Sequence, residues 1–260
     1  MRTTLTRGII ATGGVLLALQ STRSPAAATT SGLWQAVGSG LASMKLSVVL
    51  EAAGPQSAST GAGSRPQPGN PDAHYALGQQ LQQQGKYDES RQHYREFIRL
   101  RPSDARVPAA LAQIGRSLLT QGRKDEAMAA FRDVLARKAG DPDGLAGVAD
   151  TLFVQEKWAD SVPAYQAYLR VKPDTVPAMM NLGEALVRLD RDGEGRELFR
   201  AVTELQPGNV TARVNYAYAL ANTGRYGDSV REFRKAAELE RDPKARAAIE
   251  AAIAELLGNH

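Results

Sequence analysis

An all-α solenoid, built by stacking pairs of antiparallel helices, is the fold class that this 260-residue sequence predicts. Three observations predict it. Aromatic residues recur at Tyr94, Phe131, Tyr165, Phe199 and Phe233, at spacings of 37, 34, 34 and 34 residues. A second series keeps the same beat: Leu77-Gly78, Ile114-Gly115, Val148-Ala149, Leu182-Gly183 and Tyr216-Ala217. A third stands four residues before each aromatic and is small throughout: Ser90, Ala127, Ser161, Gly195 and Ser229. Self-similarity at this period marks stacked supersecondary units that bury their apolar faces on one another. Composition agrees, because 6% aromatic content and an alanine-rich second half suit close-packed helices better than a sheet.

Taken from the N-terminus, the first element is a targeting segment. Arg2 and Arg7 precede a mostly apolar run from Gly8 to Leu19, and Ala26-Ala27-Ala28 offers a small-residue cleavage site. A bilayer span needs about 20 apolar residues, so this run reads as a signal peptide over 1–28, with a retained anchor as the second reading. The expected location is therefore exported, periplasmic or extracellular, and residue usage suggests a bacterium. Residues 29–53 are apolar without a clean period. Leu33, Trp34, Val37, Leu41 and Met44 keep rough helical spacing across Gly38 and Gly40. An amphipathic helix and a weakly structured stretch both remain open there. Residues 54–70 are rich in Gly, Ser and Pro and read as a flexible linker, which ends where the repeats begin.

Within each copy two apolar stretches of helical period, about fourteen residues each, flank a breaker. Gln84-Gly85-Lys86, Gln121-Gly122-Arg123 and Thr223-Gly224-Arg225 place a glycine where a helix can end in the left-handed region. Asn70-Pro71, Asp141-Pro142 and Asp242-Pro243 set a capping side chain before a first-turn proline. Prolines 102, 173 and 207 close copies. Gly193, Gly195 and Pro163 are expected to soften the second helices that hold them. The 37-residue step reflects three extra residues, 105–107, expected to lengthen the connection into the second copy.

This period resembles the tetratricopeptide repeat. The first copy reads His74-x-x-Leu77-Gly78-x-x-Leu81, then Ser90-x-x-x-Tyr94, then Pro102, and the likeness covers about 71–242. His74, Leu111, Leu145, Met179 and Arg213 stand where the signature tryptophan falls, so that large anchor is missing. The resemblance implies a right-handed solenoid over 71–257, with five helix-turn-helix repeats at about 71–104, 108–141, 142–175, 176–209 and 210–242. Residues 243–257 are alanine-rich and begin no further copy, so they read as a capping helix, with a dimerisation edge as the alternative.

In such solenoids the first helices line a concave binding surface, so the resemblance implies a protein or peptide partner held there. In the fitted register the inward candidates are Gln79, Gln83, Gln113, Arg116, Asp150, Phe153, Asn181, Glu184, Arg188, Asn215, Tyr218 and Asn222. Met180 joins Phe153 and Tyr218 as an apolar anchor. Gln113, Asn181 and Asn215 occupy equivalent places, and an amide both donates and accepts, which suits a peptide main chain. Arg116 and Arg188 are opposed by Asp150 and Glu184, so no carboxylate clamp is expected. A neutral polar or modestly apolar segment fits best.

Other function classes find less support. The first 69 residues hold five basic side chains and one acid, which leaves 27 of each sign in 70–260. The repeats are thus formally neutral and lack the basic face that a nucleic-acid partner needs. Removing residues 1–28 lowers the net charge from +4 to +1. There is no cysteine, hence no disulfide, thiolate nucleophile or Cys-based metal site. Three histidines and no G-x-S-x-G, H-E-x-x-H or phosphate loop leave neither a catalytic nor a metal site to nominate, and no cofactor is expected. The expected function is a non-catalytic scaffold or adaptor in the cell envelope or outside the cell. Membrane contact is expected only if the first segment is kept as an anchor. The rivals are self-assembly into a homo-oligomer through 29–53 or the last helix, and an accessory role in a secretion or envelope-assembly machine.

Overall fold

The computed structural model describes residues 69–259, and the segments expected at 1–28, 29–53 and most of 54–70 lie outside it. Among the described residues there are eleven α-helices and no strand. They run α1 (Pro71–Gln83), α2 (Tyr87–Leu100), α3 (Val107–Thr120), α4 (Lys124–Arg137), α5 (Pro142–Val154) and α6 (Trp158–Val171). Then come α7 (Val176–Arg188), α8 (Asp192–Leu205), α9 (Val210–Asn222), α10 (Tyr226–Leu239) and α11 (Pro243–Asn259). This is the all-α repeat architecture expected from the sequence. Two compact units divide the described residues, 69–173 and 174–259. In each, a first helix pairs with its second helix, and that second helix packs on the next first helix.

Local chemistry sets the helix ends. Asn70 Oδ1 accepts from the N–H groups of Asp72 and Ala73 at 3.1 and 3.3 Å, and Asp141 does the same for Asp143 and Gly144 at 3.0 and 3.3 Å. Such caps satisfy donors that the helix itself leaves orphaned. Between the paired helices one residue takes a positive φ. It is Gly85, Gly122 and Gly224 in three copies, at 73°, 75° and 78°. In the other two it is Glu156 at 59° and Asp190 at 64°, where the sequence carries no glycine to mark the turn. The 37-residue step divides differently from expectation. The connection 101–106 is two residues longer than 138–141 or 206–209, and α3 itself has 14 residues where the other first helices have 13.

Close approach of the paired helices explains the small residues. A Cβ on Gly78 would come within 3.0 Å of the Tyr94 ring, and one on Gly183 within 2.7 Å of Phe199. Phe131 is gripped from two sides, because a Cβ on Gly115 would lie 2.7 Å away and one on Gly147 only 2.1 Å away. Ser90 Oγ donates to the Gly78 carbonyl at 2.8 Å, and Ser229 Oγ to Ala217 at 2.7 Å, so the small series also ties second helix to first. Gly195 belongs to that series. Its α-carbon sits where a Cβ would meet Val187 at 2.7 Å and the Gly183 carbonyl at 2.8 Å, so it is a packing glycine and not the soft spot expected. Helix α6 runs 14 residues through the exposed Pro163.

The core of 69–173 gathers Tyr94, Phe97, Val107, Ala110, Ile114, Leu118 and Phe131. Arg91 is buried beside it, paired with Asp88 and donating to Ser117 Oγ at 3.3 Å. Burial lowers its affinity for the proton, and Asp88 draws it back. In 174–259 a second core joins Val214, Ala217, Tyr218, Phe233 and Ala236 to Ala245, Ile249 and Leu256 of α11. The last helix thus covers the apolar face of the preceding pair, as a capping element must.

Candidate functional site

The face to test is that of the first helices. In 69–173 it is carried by α1, α3 and α5. Gln79 and Gln83 are exposed on α1, while Gln113 and Arg116 on α3 and Asp150 and Phe153 on α5 are half-buried. Arg116 is held in place, since Nε donates to Gln113 Oε1 at 3.3 Å and Nη1 meets Asp143 of α5 at 3.1 Å. Asp150 Oδ1 accepts from the Tyr165 hydroxyl at 2.7 Å. Phe153 packs edge-on against Trp158 at 5.0 Å and Tyr165 at 6.0 Å. Such T-shaped contacts add about 0.5–1.5 kcal/mol beyond area burial and stiffen an aromatic wall. The result is an amide-rich strip with one aromatic wall and a charge pair already neutralised, and it suits a neutral or weakly apolar chain.

At the rim of this face, Arg106 clamps α1 to the connection before α3. Its guanidinium reaches Asp72 at 2.6 Å and Asp104 at 2.7 Å, and lies over the Tyr75 and Phe97 rings at 5.2 and 5.0 Å. Hydrogen bonds from Arg106 hold the Asp104 carboxyl well below the ordinary carboxylate range. Burial pushes the Tyr75 phenol up, with Arg106 opposing.

In 174–259 the candidates fall differently. Asn181 is half-buried and Arg188 exposed, but Met180, Glu184, Asn215 and Tyr218 are buried, so these four are corrected as open groove contacts. Tyr218 packs edge-on against Phe233 at 4.8 Å within the core under α11, and burial raises its phenol. Glu184, 2% exposed, pairs with Arg188 at 3.2 Å. Asn222 is half-buried, and its amide donates to Asp192 Oδ1 at 2.8 Å, which ties α9 to the start of α8.

That last bond belongs to a recurring device. Gln121 donates to Asp88 at 3.3 Å and Gln155 to Asp125 at 2.9 Å, again from the end of one first helix to the start of the preceding second helix. Sequence reasoning missed these clasps, although their 30- to 33-residue separations were there to find. Among the described residues no group of three or more His, Cys, Asp or Glu could hold a metal ion. No described helix is long and apolar enough to cross a membrane.

Helix hairpins of one design, repeated along the described residues, define an all-α repeat protein. The tetratricopeptide-repeat model matches residues 62–105, 75–142, 149–210 and 193–246, and the chain belongs to that family. Members of the family are protein-interaction scaffolds, and their partners are proteins. No curated relative matches the chain. Similar solved structures include MamA residues 41 to the end from Desulfovibrio magneticus RS-1, at 20% identity and TM-score 0.61, covering 66% of this chain and 95% of that one. A tetratricopeptide-repeat protein from Parabacteroides merdae ATCC 43184 is similar at 18% identity and TM-score 0.63, covering 72% and 73%. At these identities the likeness is one of fold.

Proposed function

We propose that this chain is an exported, non-catalytic adaptor that holds an extended peptide or protein segment against the first-helix face of 69–173. The observation that carries the reading is that Gln79 and Gln83 are exposed on α1 while Gln113 and Phe153 stay half-open on α3 and α5, all on first helices of one unit. Amides pair with main-chain N–H and C=O without reading sequence, while an aromatic wall receives one apolar side chain. Export is supported by Arg2, Arg7, the Gly8 to Leu19 run and Ala26 to Ala28. A periplasmic or extracellular partner follows from it.

The test is affinity capture from the envelope fraction of the native host, with the full exported chain as bait. A second bait carries Gln79→Ala, Gln83→Ala and Gln113→Ala. Surface changes of this kind shift stability within about 0.5 kcal/mol, so circular dichroism should be unchanged. A partner held by the first bait and weakened about tenfold or more by the second supports the reading, since two or three lost hydrogen bonds of about 0.5–1.5 kcal/mol each amount to that. Equal capture by both baits would remove the site from this face. Recovery of the bait alone would favour self-assembly.

A further inference from the structure

We infer that His74 of α1 and His93 of α2 form a proton-bridged latch that closes the first hairpin and releases α1 on acidification. The two Nδ1 atoms lie 2.9 Å apart, with ring centroids at 5.1 Å and planes tilted by 32°. That centroid distance is close to the nitrogen contact plus one ring radius on either side. The rings therefore meet head-on, nitrogen to nitrogen. A neutral imidazole carries one donor and one acceptor nitrogen, so one ring donates its Nδ1–H into the lone pair of the other. A metal ion on the same axis would need two bonds of about 2.0–2.1 Å, for which the gap is too short. The geometry fits a single shared proton.

A first added proton is tolerated, because it goes to the free Nε2 of the donor ring and leaves the Nδ1–H to Nδ1 bond charge-assisted. A second added proton destroys the contact: both Nδ1 atoms are then donors, both rings are cations, and the hydrogen bond turns into repulsion at close range. The charged groups around the pair soften this little. Glu89, one turn before His93, favours its protonated form, while the Glu96 carboxylate near His74 is already held by Arg99 at 2.9 and 2.6 Å. Burial and the facing His74 together hold the His93 imidazole below its ordinary value. In the unfolded chain both histidines take their protons as pH falls through about 6.5, whereas the folded contact resists the proton that would make both rings cations, the one that His93 refuses. The latch is thus fully closed above about pH 6.5, and its stability is lost as pH falls through the depressed folded value.

What the latch restrains is the lightly held α1, in which only Gly78 and Leu81 are buried. Helix α1 also carries Gln79 and Gln83, but its release stands independently of any ligand. Hydrogen exchange on the full chain tests it, with protection factors corrected for the intrinsic pH dependence of exchange. Between about pH 7.5 and pH 5, protection of α1 should fall roughly threefold or more relative to α9, because each unit of pKa depression costs tenfold in the opening equilibrium. In His74→Gln and in His93→Gln the pH dependence should vanish, whatever the protection at neutral pH. Imidazole nitrogen NMR should show the two rings titrating as a coupled pair in two steps. Unchanged α1 protection in the wild type would overturn the latch. So would a loss that persists in both variants, or two independent titrations at the ordinary value.

Discussion

The two units use the same repeat to different ends. In 69–173 the first helix α1 buries only Gly78 and Leu81, and α3 and α5 add half-buried polar residues on the same positions of the repeat. In 174–259 the first helices are buried almost throughout. Helix α7 is buried from Ala178 to Val187 except at Asn181, and α9 from Ala212 to Ala221 except at Arg213 and Tyr216. The repeat signature is satisfied in both, so it does not cause the contrast. The residues between signature positions vary with it: glutamines in α1, methionine, leucine and alanine in α7, alanine and tyrosine in α9. Burial there takes in polar side chains too, Glu184 in α7 and Asn215 in α9. Fold is written at the signature positions, and surface chemistry between them.

The comparison is broken most sharply at the glycines that let helices meet. Phe131 cannot retreat from a new methyl at Gly147, because Gly115 pins its other side. Gly147→Ala should therefore cost about 3 kcal/mol, at the upper end of overpacking, while Gly183→Ala against Phe199 alone should cost about 1–2 kcal/mol. Urea denaturation of the two variants measures the difference. Equal losses would mean that the two-sided grip on Phe131 adds nothing.

Smaller gains are expected at the left-handed turn, which offers one site in each unit. A side chain in this region costs about 1–2 kcal/mol, and glycine gives back roughly 0.5–1 kcal/mol in unfolded-state entropy. Glu156→Gly in 69–173 should stabilise by about 0.5–1 kcal/mol. Asp190→Gly in 174–259 should gain less, since aspartate tolerates the left-handed region better. Thermal melts give the ranking, and a destabilised Glu156→Gly would show that its side chain contributes contacts worth more than the strain.

Much of the fold was legible because its cause is periodic. Aromatic, Leu-Gly and small-residue series at one spacing can be counted, and each turned out to be one side of a single contact: Tyr94 on Gly78, Ser90 on the Gly78 carbonyl. The turn at Glu156 and Asp190 was not legible, because there the conformation is imposed by the flanking helices and not by the residue in it. The candidate face was legible only in part. Register places Gln113, Asn181 and Asn215 in equivalent positions, but Asn215 is buried where the other two are half-buried. Asn222 and Gln155 look alike as surface amides, and only the fold reveals that each reaches a carboxylate in the preceding repeat.

The smallest effect expected concerns hydroxyls turned toward the polar face. Tyr165 places its O–H on Asp150, whereas the hydroxyl of Tyr94, in the equivalent place two repeats earlier, is buried with no hydrogen-bond partner. Gln79 stands where Asp150 would be, and its exposed amide is not engaged with that hydroxyl. Other copies carry Phe131, Phe199 and Phe233 at this place, so the ring alone satisfies the packing. An orphaned buried hydroxyl costs free energy that its removal returns, and a satisfied one costs about 1 kcal/mol to lose. Tyr94→Phe should accordingly be neutral or stabilising by a few tenths of a kcal/mol, and Tyr165→Phe destabilising by about 1 kcal/mol. Chemical denaturation resolves the two signs. A loss at Tyr94→Phe as large as that at Tyr165→Phe would mean that the Tyr94 hydroxyl is satisfied in solution, and that the polar face reaches deeper into the first repeat than the contacts of Gln79 indicate.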